Sequence, residues 1–363
     1  MRRSSRPVPL IFLFLCLVSA ATQAEPYLAV EQGLKCVQCH DNPTGGGLRN
    51  QFGNAFAQTG LPAHRIDTGG ETWLGEISKF VAVGGNLRAD ASLTDVPHQG
   101  TSNQFEVDEG RIYLSVSPIP GRLSVYIDEH VAPGSAENME AYARYWTANH
   151  QWYVQAGQMY LPFGLRLEDD TAFTRTVPGI NMTTPDSGVE VGWETGPWTA
   201  QLAISNGTAG AAEDDNGKQF TSSAAYVASR WRLGTSVSLN DADAGDRNAY
   251  GVFGGLKTGP IAWLAEADLV TDDSFPKGRR KMVSGLLEGN WLVRQGHNLK
   301  VTAELFDPDR SVHEDQQTRW SVVYEYTPVQ FIQLRGGARI YDGIPQDDLQ
   351  NRKLYFVQLH GYF

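Results

Sequence analysis

From about residue 79 to its end, the chain alternates apolar and polar positions in stretches of roughly ten residues separated by turn formers. Between 121 and 132, Leu123, Val125 and Ile127 alternate with Ser124, Tyr126 and Asp128. Between 197 and 206, Trp198, Ala200, Leu202 and Ile204 alternate with Thr199, Gln201 and Ser205. Successive side chains of a strand point to opposite faces, so each stretch reads as a strand with one apolar face. About sixteen can be counted: 79–91, 106–117, 120–132, 139–148, 150–161, 187–195, 197–206, 220–231, 233–240, 247–258, 260–270, 281–294, 297–306, 318–327, 329–341 and 353–363.

The connections sharpen this pattern. Short ones at 118–121, 195–197, 258–260 and around Gly296 interleave with long ones at 162–186, 207–219, 271–280, 307–317 and 342–352. Outer-membrane barrels have short periplasmic turns and long outer loops. Residues 79–363 are therefore expected to form an all-β, transmembrane antiparallel barrel of about sixteen strands. Its outer face would contact outer-membrane lipid, and both termini would be periplasmic. Arg111, Asp128, Arg144, Glu190, Arg335 and Arg339 take lumen-facing parity. Trp146, Trp152, Trp193, Trp198 and Tyr326 lie near strand ends, as interfacial girdles require, although strands favour aromatics anyway. The terminal Gly361–Tyr362–Phe363 is the kind of aromatic strand end that bacterial barrels offer to their assembly machinery.

The mean hydropathy of −0.33 excludes a helical membrane protein but suits strands with a single apolar face. Residues 1–24 read as a secretory signal: Arg2, Arg3 and Arg6, a short apolar run from Pro9 to Ala20, then small residues. Cleavage after Ala24 would leave 27 basic against 41 acidic residues, which excludes nucleic acid as a partner. Acidic groups concentrate in the long connections, at 168–170, 213–215, 241–246, 272–273, 307–315 and 347–348. Such loops attract cations, and carboxylates suit divalent metals, but solvated loops and lipopolysaccharide contacts have the same composition.

The chemistry sits in residues 25–78. Of three cysteines, Cys16 belongs to the signal, and the other two stand in Cys36–Val37–Gln38–Cys39–His40. C-x-x-C-H is the attachment signature of c-type haem: two thiols add to the porphyrin vinyl groups and the histidine reaches the iron. A bare C-x-x-C would also fit a redox dithiol or half a zinc site, but no second pair completes a zinc shell. One covalent haem c is expected on Cys36 and Cys39, with His40 as proximal iron ligand. His64, the other histidine of the segment, is the candidate distal ligand, with His130, His360 and Met159 of the barrel as alternatives.

A monohaem segment joined to such a barrel resembles the fused cytochrome–porins of the bacterial outer membrane, a type known from iron-oxidising bacteria. The likeness is carried by Gly33, Cys36, Cys39, His40, Pro43, Phe52–Gly53, Phe56 and Gly60, and is architectural elsewhere. The chain departs from the family by inserting Thr44–Gly45–Gly46–Gly47. The resemblance implies an electron conduit between an extracellular donor, Fe(II) or another, and a periplasmic electron-carrier cytochrome. Residues 25–78 are too few to bury a core alone and would plug the lumen, with Leu48, Phe52 and Phe56 on one helix face. The rival is a diffusion porin whose haem domain hangs in the periplasm as a sensor or docking module. Separately, 157–164 resembles the strand-end P-F-G of phosphate-type porins, which supports the barrel alone.

Overall fold

A computed structural model describes residues 25–363 apart from Thr68, Asp214 and Lys277; the expected signal segment lies outside the described residues. Sixteen long strands form the wall. They are β1 (Val81–Val96), β2 (Gly100–Ile119), β3 (Leu123–Ala132), β4 (Glu137–Trp146), β5 (Trp152–Met159), β6 (Asp186–Thr195), β7 (Trp198–Ser205) and β8 (Gln219–Val227). They continue as β9 (Trp231–Asn240), β10 (Arg247–Thr258), β11 (Ile261–Asp272), β12 (Arg280–Arg294), β13 (His297–Asp307), β14 (Gln317–Val329), β15 (Ile332–Asp342) and β16 (Lys353–Tyr362). Each pairs antiparallel with its neighbour, and β16 closes on β1 from Lys353↔Asp95 to Tyr362↔Asn86. Closure leaves the wall without a free sheet edge. A short strand, Glu76–Ser78, pairs onto the start of β1.

The alternation has the expected sense. Leu202, Ile204 and Val357 are exposed on the outer face, whereas Arg111, Asp128, Arg144, Glu190 and Arg335 are buried inside. Aromatics near the short turns form a belt: Trp152 meets Trp193 at 6.0 Å between ring centroids, and Tyr226 lies 5.0 Å from Trp198 and 5.3 Å from Trp231. Trp146 is a correction, because it shares the inward parity of Tyr142 and Arg144 and packs on buried Tyr153 instead. β1 and β2 also run further than the alternation indicated. Residues 100–108 are exposed and pair with β1 alone, since β3 first pairs with β2 at Gly110. A hairpin standing clear of the apolar belt needs no apolar face, so its polar sequence hid it.

Two segments fill the lumen. From the short-turn end comes the N-terminal segment, with α1 (Pro26–Gln32) against β10 and β11 and α2 (Gln51–Thr59) further along. From the other end the β5–β6 connection turns inward with the one-turn helix α3 (Phe173–Thr176), burying Leu161, Phe163, Leu165, Leu167, Val177 and Ile180. Those side chains would face water in an outward loop, and burying them drives the fold inward.

The two segments meet in a buried ion-pair network. Glu25 lies 2.6 Å from Lys300, which also reaches Glu325 at 3.1 Å. On the loop, Glu168 pairs with Arg335 at 2.5 Å and Arg88 at 3.2 Å, and Asp169 with Arg319 at 2.8 Å and Arg339 at 2.9 Å. Removing one member of such a buried pair costs about 3–5 kcal/mol, so the network fixes where loop and segment meet.

Candidate functional site

Cys36–Gln38 form a 3-10 turn in which the Cys39 and His40 amides donate to the Cys36 carbonyl at 3.1 and 3.0 Å. This turn brings both thiols and the imidazole to one place. The chain then loops out and returns: His40 bridges Arg49, Asp41 N donates to Leu48 O at 2.9 Å, and Asn50 N donates to Cys39 O at 3.0 Å. Asn50 caps α2 by accepting from Gly53 N at 3.0 Å. Gly53 lies so close to the Cys39 carbonyl that any side chain would collide with it, so α2 rests directly on the motif backbone.

The loop between His40 and Arg49 fastens the motif to the wall. Asn42 donates to both Glu140 carboxylate oxygens at 3.0 Å, Arg144 donates to the Asp41 carbonyl, and Leu48 N donates to Tyr126 Oη at 3.1 Å. Gly47 has φ +63° and a side chain there would strike the Tyr126 hydroxyl. The glycine run that departs from the cytochrome–porin pattern is thus the part that fits this wall. Leu48 is buried against Tyr113, Tyr126, Tyr142 and Met159.

Between this segment and the wall lies a largely apolar cavity. Cys36, Cys39 and His40 line it, together with Leu28 and Phe56 of the segment, Phe163 and Leu165 of the inward loop, and Ala225 and Phe253 of the wall. Both thiols are unpaired and partly exposed. His40 is buried, and neither ring nitrogen has a well-formed hydrogen bond among the described residues, although backbone at Gly46 and Gly47 approaches the ring. Burial first, then the Arg49 charge, push His40 down to about 3, so the imidazole is neutral, the form that binds a metal. Burial, then Cys36, push the free Cys39 thiol up to about 11. An orphaned neutral imidazole, two thiols and apolar walls fit a covalent haem c.

The structure does not bring the other candidate ligands to this cavity. His64 is exposed at the short-turn rim, where its amide donates to Pro328 O at 3.0 Å. His360 is buried but engaged by Asn86 at 2.8 Å and Gln333 at 3.3 Å. Met159 packs in the Leu48 cluster with its sulfur 3.3 Å from Gln155 Nε2, and His130 sits near the long-loop end of β3. Phe52 is half exposed and Leu48 precedes α2, so Leu48, Phe52 and Phe56 do not share one buried face.

The long-loop carboxylates stay dispersed: Asp273 pairs with Arg279 at 2.7 Å, Asp348 with His98 at 3.0 Å, and Glu213 with Lys218 at 3.0 Å. The three-carboxylate cluster that the described residues do form, Glu25, Glu168 and Glu325, lies in the lumen. It is already balanced by Lys300, Arg335 and Arg88. Sequence reasoning did not find Phe163, Leu165, Arg166, Ala225, Arg232 or Phe253 as cavity residues. For the first three the signal was available, since 161–167 is apolar at every second position although it follows the end of a strand.

No family model and no curated protein matches the chain. Solved structures do. The anion-selective porin from Comamonas acidovorans is similar at a TM-score of 0.62 and 11% identity, covering 78% of this chain and 99% of its own. The outer membrane channel DcaP of Acinetobacter baumannii gives 0.59 at 14% identity, covering 84% and 100%. OmpT of Vibrio cholerae in its trimer form gives 0.59 at 9%, covering 78% and 100%. The fold is therefore that of the outer-membrane porin barrels, closed by sixteen antiparallel strands.

Proposed function

We propose that the protein is a bacterial outer-membrane electron conduit. It would carry one haem c held by Cys36 and Cys39, with His40 to bind its iron, and link an extracellular donor to a periplasmic electron-carrier cytochrome. The donor implied by resemblance is Fe(II). The observation that carries this reading is that the cavity holding these three residues is walled by the barrel and roofed by its inward loop. A domain hanging free in the periplasm would have neither boundary.

When bound, the haem supplies a one-electron redox centre. The chain's own residues do the rest. Phe163, Leu165 and Phe253 give the cavity apolar walls, and His40 offers a neutral imidazole. Asp169 and Glu168, clamped by arginines, keep the loop inside the lumen. An apolar band about 25 Å tall separates the two faces of an outer membrane, so a redox centre within it shortens the electron path on both sides.

The test is to add a membrane-impermeant Fe(II) complex outside intact cells and follow the haem spectrum. Reduction in intact cells is expected. Reduction only after the outer membrane is permeabilised would refute the conduit.

A further inference from the structure

We infer that the protein gives the haem iron one ligand only, His40, and leaves the opposite face open to a small exogenous anion. The inference rests on the haem reading above and concerns what the cavity offers on its other side. Strong second ligands in c-type centres are histidine and methionine. Every such residue among the described ones can be placed. His98, His150, His297 and His313 lie in loops or at strand ends, and His64 sits at the rim. His130 and His360 belong to β3 and β16, and neither lines the cavity. Met139 and Met182 pack with Tyr160, Met159 with Leu48, and Met282 with the apolar cluster at the loop end. Of all these, His40 alone lines the cavity.

Two other lining residues define the ligand class. Arg166 and Arg232 are each 7% exposed, and neither forms an ion pair among the described residues. Arg166 donates to the carbonyls of Tyr160 at 2.9 Å and Gly45 at 3.5 Å, and Arg232 to the carbonyl of Leu34. Arg166 also acts on the buried carboxylates Glu140 and Glu190, whereas Arg232 has beside that carbonyl only the Cys36 sulfur, which is uncharged once it is a thioether, so the Arg232 charge favours an anion sharing the space. The ligand is accordingly a small anion of the azide or cyanide type, and neutral imidazole gains nothing from these arginines.

The test uses the purified full-length protein with its haem stain confirmed on a denaturing gel. Its ferric spectrum at neutral pH is expected to be high-spin, and azide or cyanide should convert it to low-spin. His64→Ala should leave the spectrum unchanged. Arg232→Gln should weaken azide several-fold while leaving imidazole affinity as it was; a second variant, Arg166→Gln, guards against one that fails to fold. A low-spin ferric spectrum without added ligand would overturn the inference. Equal effects of both arginine variants on azide and imidazole would overturn the anion class. Absence of the haem stain would instead sink the functional reading, and this inference with it.

Discussion

Leu48 couples the C-x-x-C-H motif to the barrel more directly than any cysteine does. It is buried among Tyr113, Tyr126, Tyr142 and Met159. Leu48→Ala is expected to cost about 2–5 kcal/mol of docking stability through the cavity it leaves. The measurement is cleavage of the N-terminal segment by added protease, which should quicken while the barrel stays intact. Cys36→Ala with Cys39→Ala should abolish haem staining on a denaturing gel, since the thioether bonds that survive unfolding would be missing; persistent stain would refute covalent attachment. Asp169 sets a pH dependence. Burial pushes its carboxyl upward, but Arg319 and Arg339 outweigh that and hold it below the usual carboxylate range. Its contribution is therefore full above the ordinary aspartate value of about 3.9 and is lost as pH falls through the depressed one. Asp169→Asn should lower the unfolding temperature at neutral pH, and the gap to the parent should shrink in acid below about pH 4. A constant gap would show that Asp169 acts through packing.

The strands were legible because lipid and lumen impose opposite demands on alternate residues. A one-residue slip would put Arg144 or Glu190 against lipid, so register is fixed by chemistry as well as by turns. A closed wall of this kind should migrate differently on gels before and after heating, and it should resist external protease except in its outer loops. The inward β5–β6 connection is expected to resist as well, and cutting within 162–176 in intact cells would contradict its placement. Sequence alone did not reveal that inward turn, because connection length says nothing about direction. Nor did it place His64, since a histidine within reach along the chain can still be held away by a backbone bond to Pro328. The C-x-x-C-H turn was legible because its chemistry is local, whereas two fifths of its cavity lining comes from strands and a loop more than a hundred residues away.

For the molecule as a whole, ion pairs join segment, loop and wall inside the lumen, and on the proposed reading they close it to bulk flow. Reconstituted in a planar bilayer, the protein should give no conductance of the nanosiemens class that open porins give, and steady conductance of that size would favour the diffusion-porin reading. Closure of the barrel by β16 on β1 carries a consequence for biogenesis. The N-terminal segment is synthesised first, the seam that encloses it is made from the last strand, and its partners lie on β3, β4, β9 and β13. On the proposed reading, a cofactor attached to that segment would be in place before β16 meets β1. The outer membrane would then receive only chains whose prosthetic group was fitted while the staves were still apart.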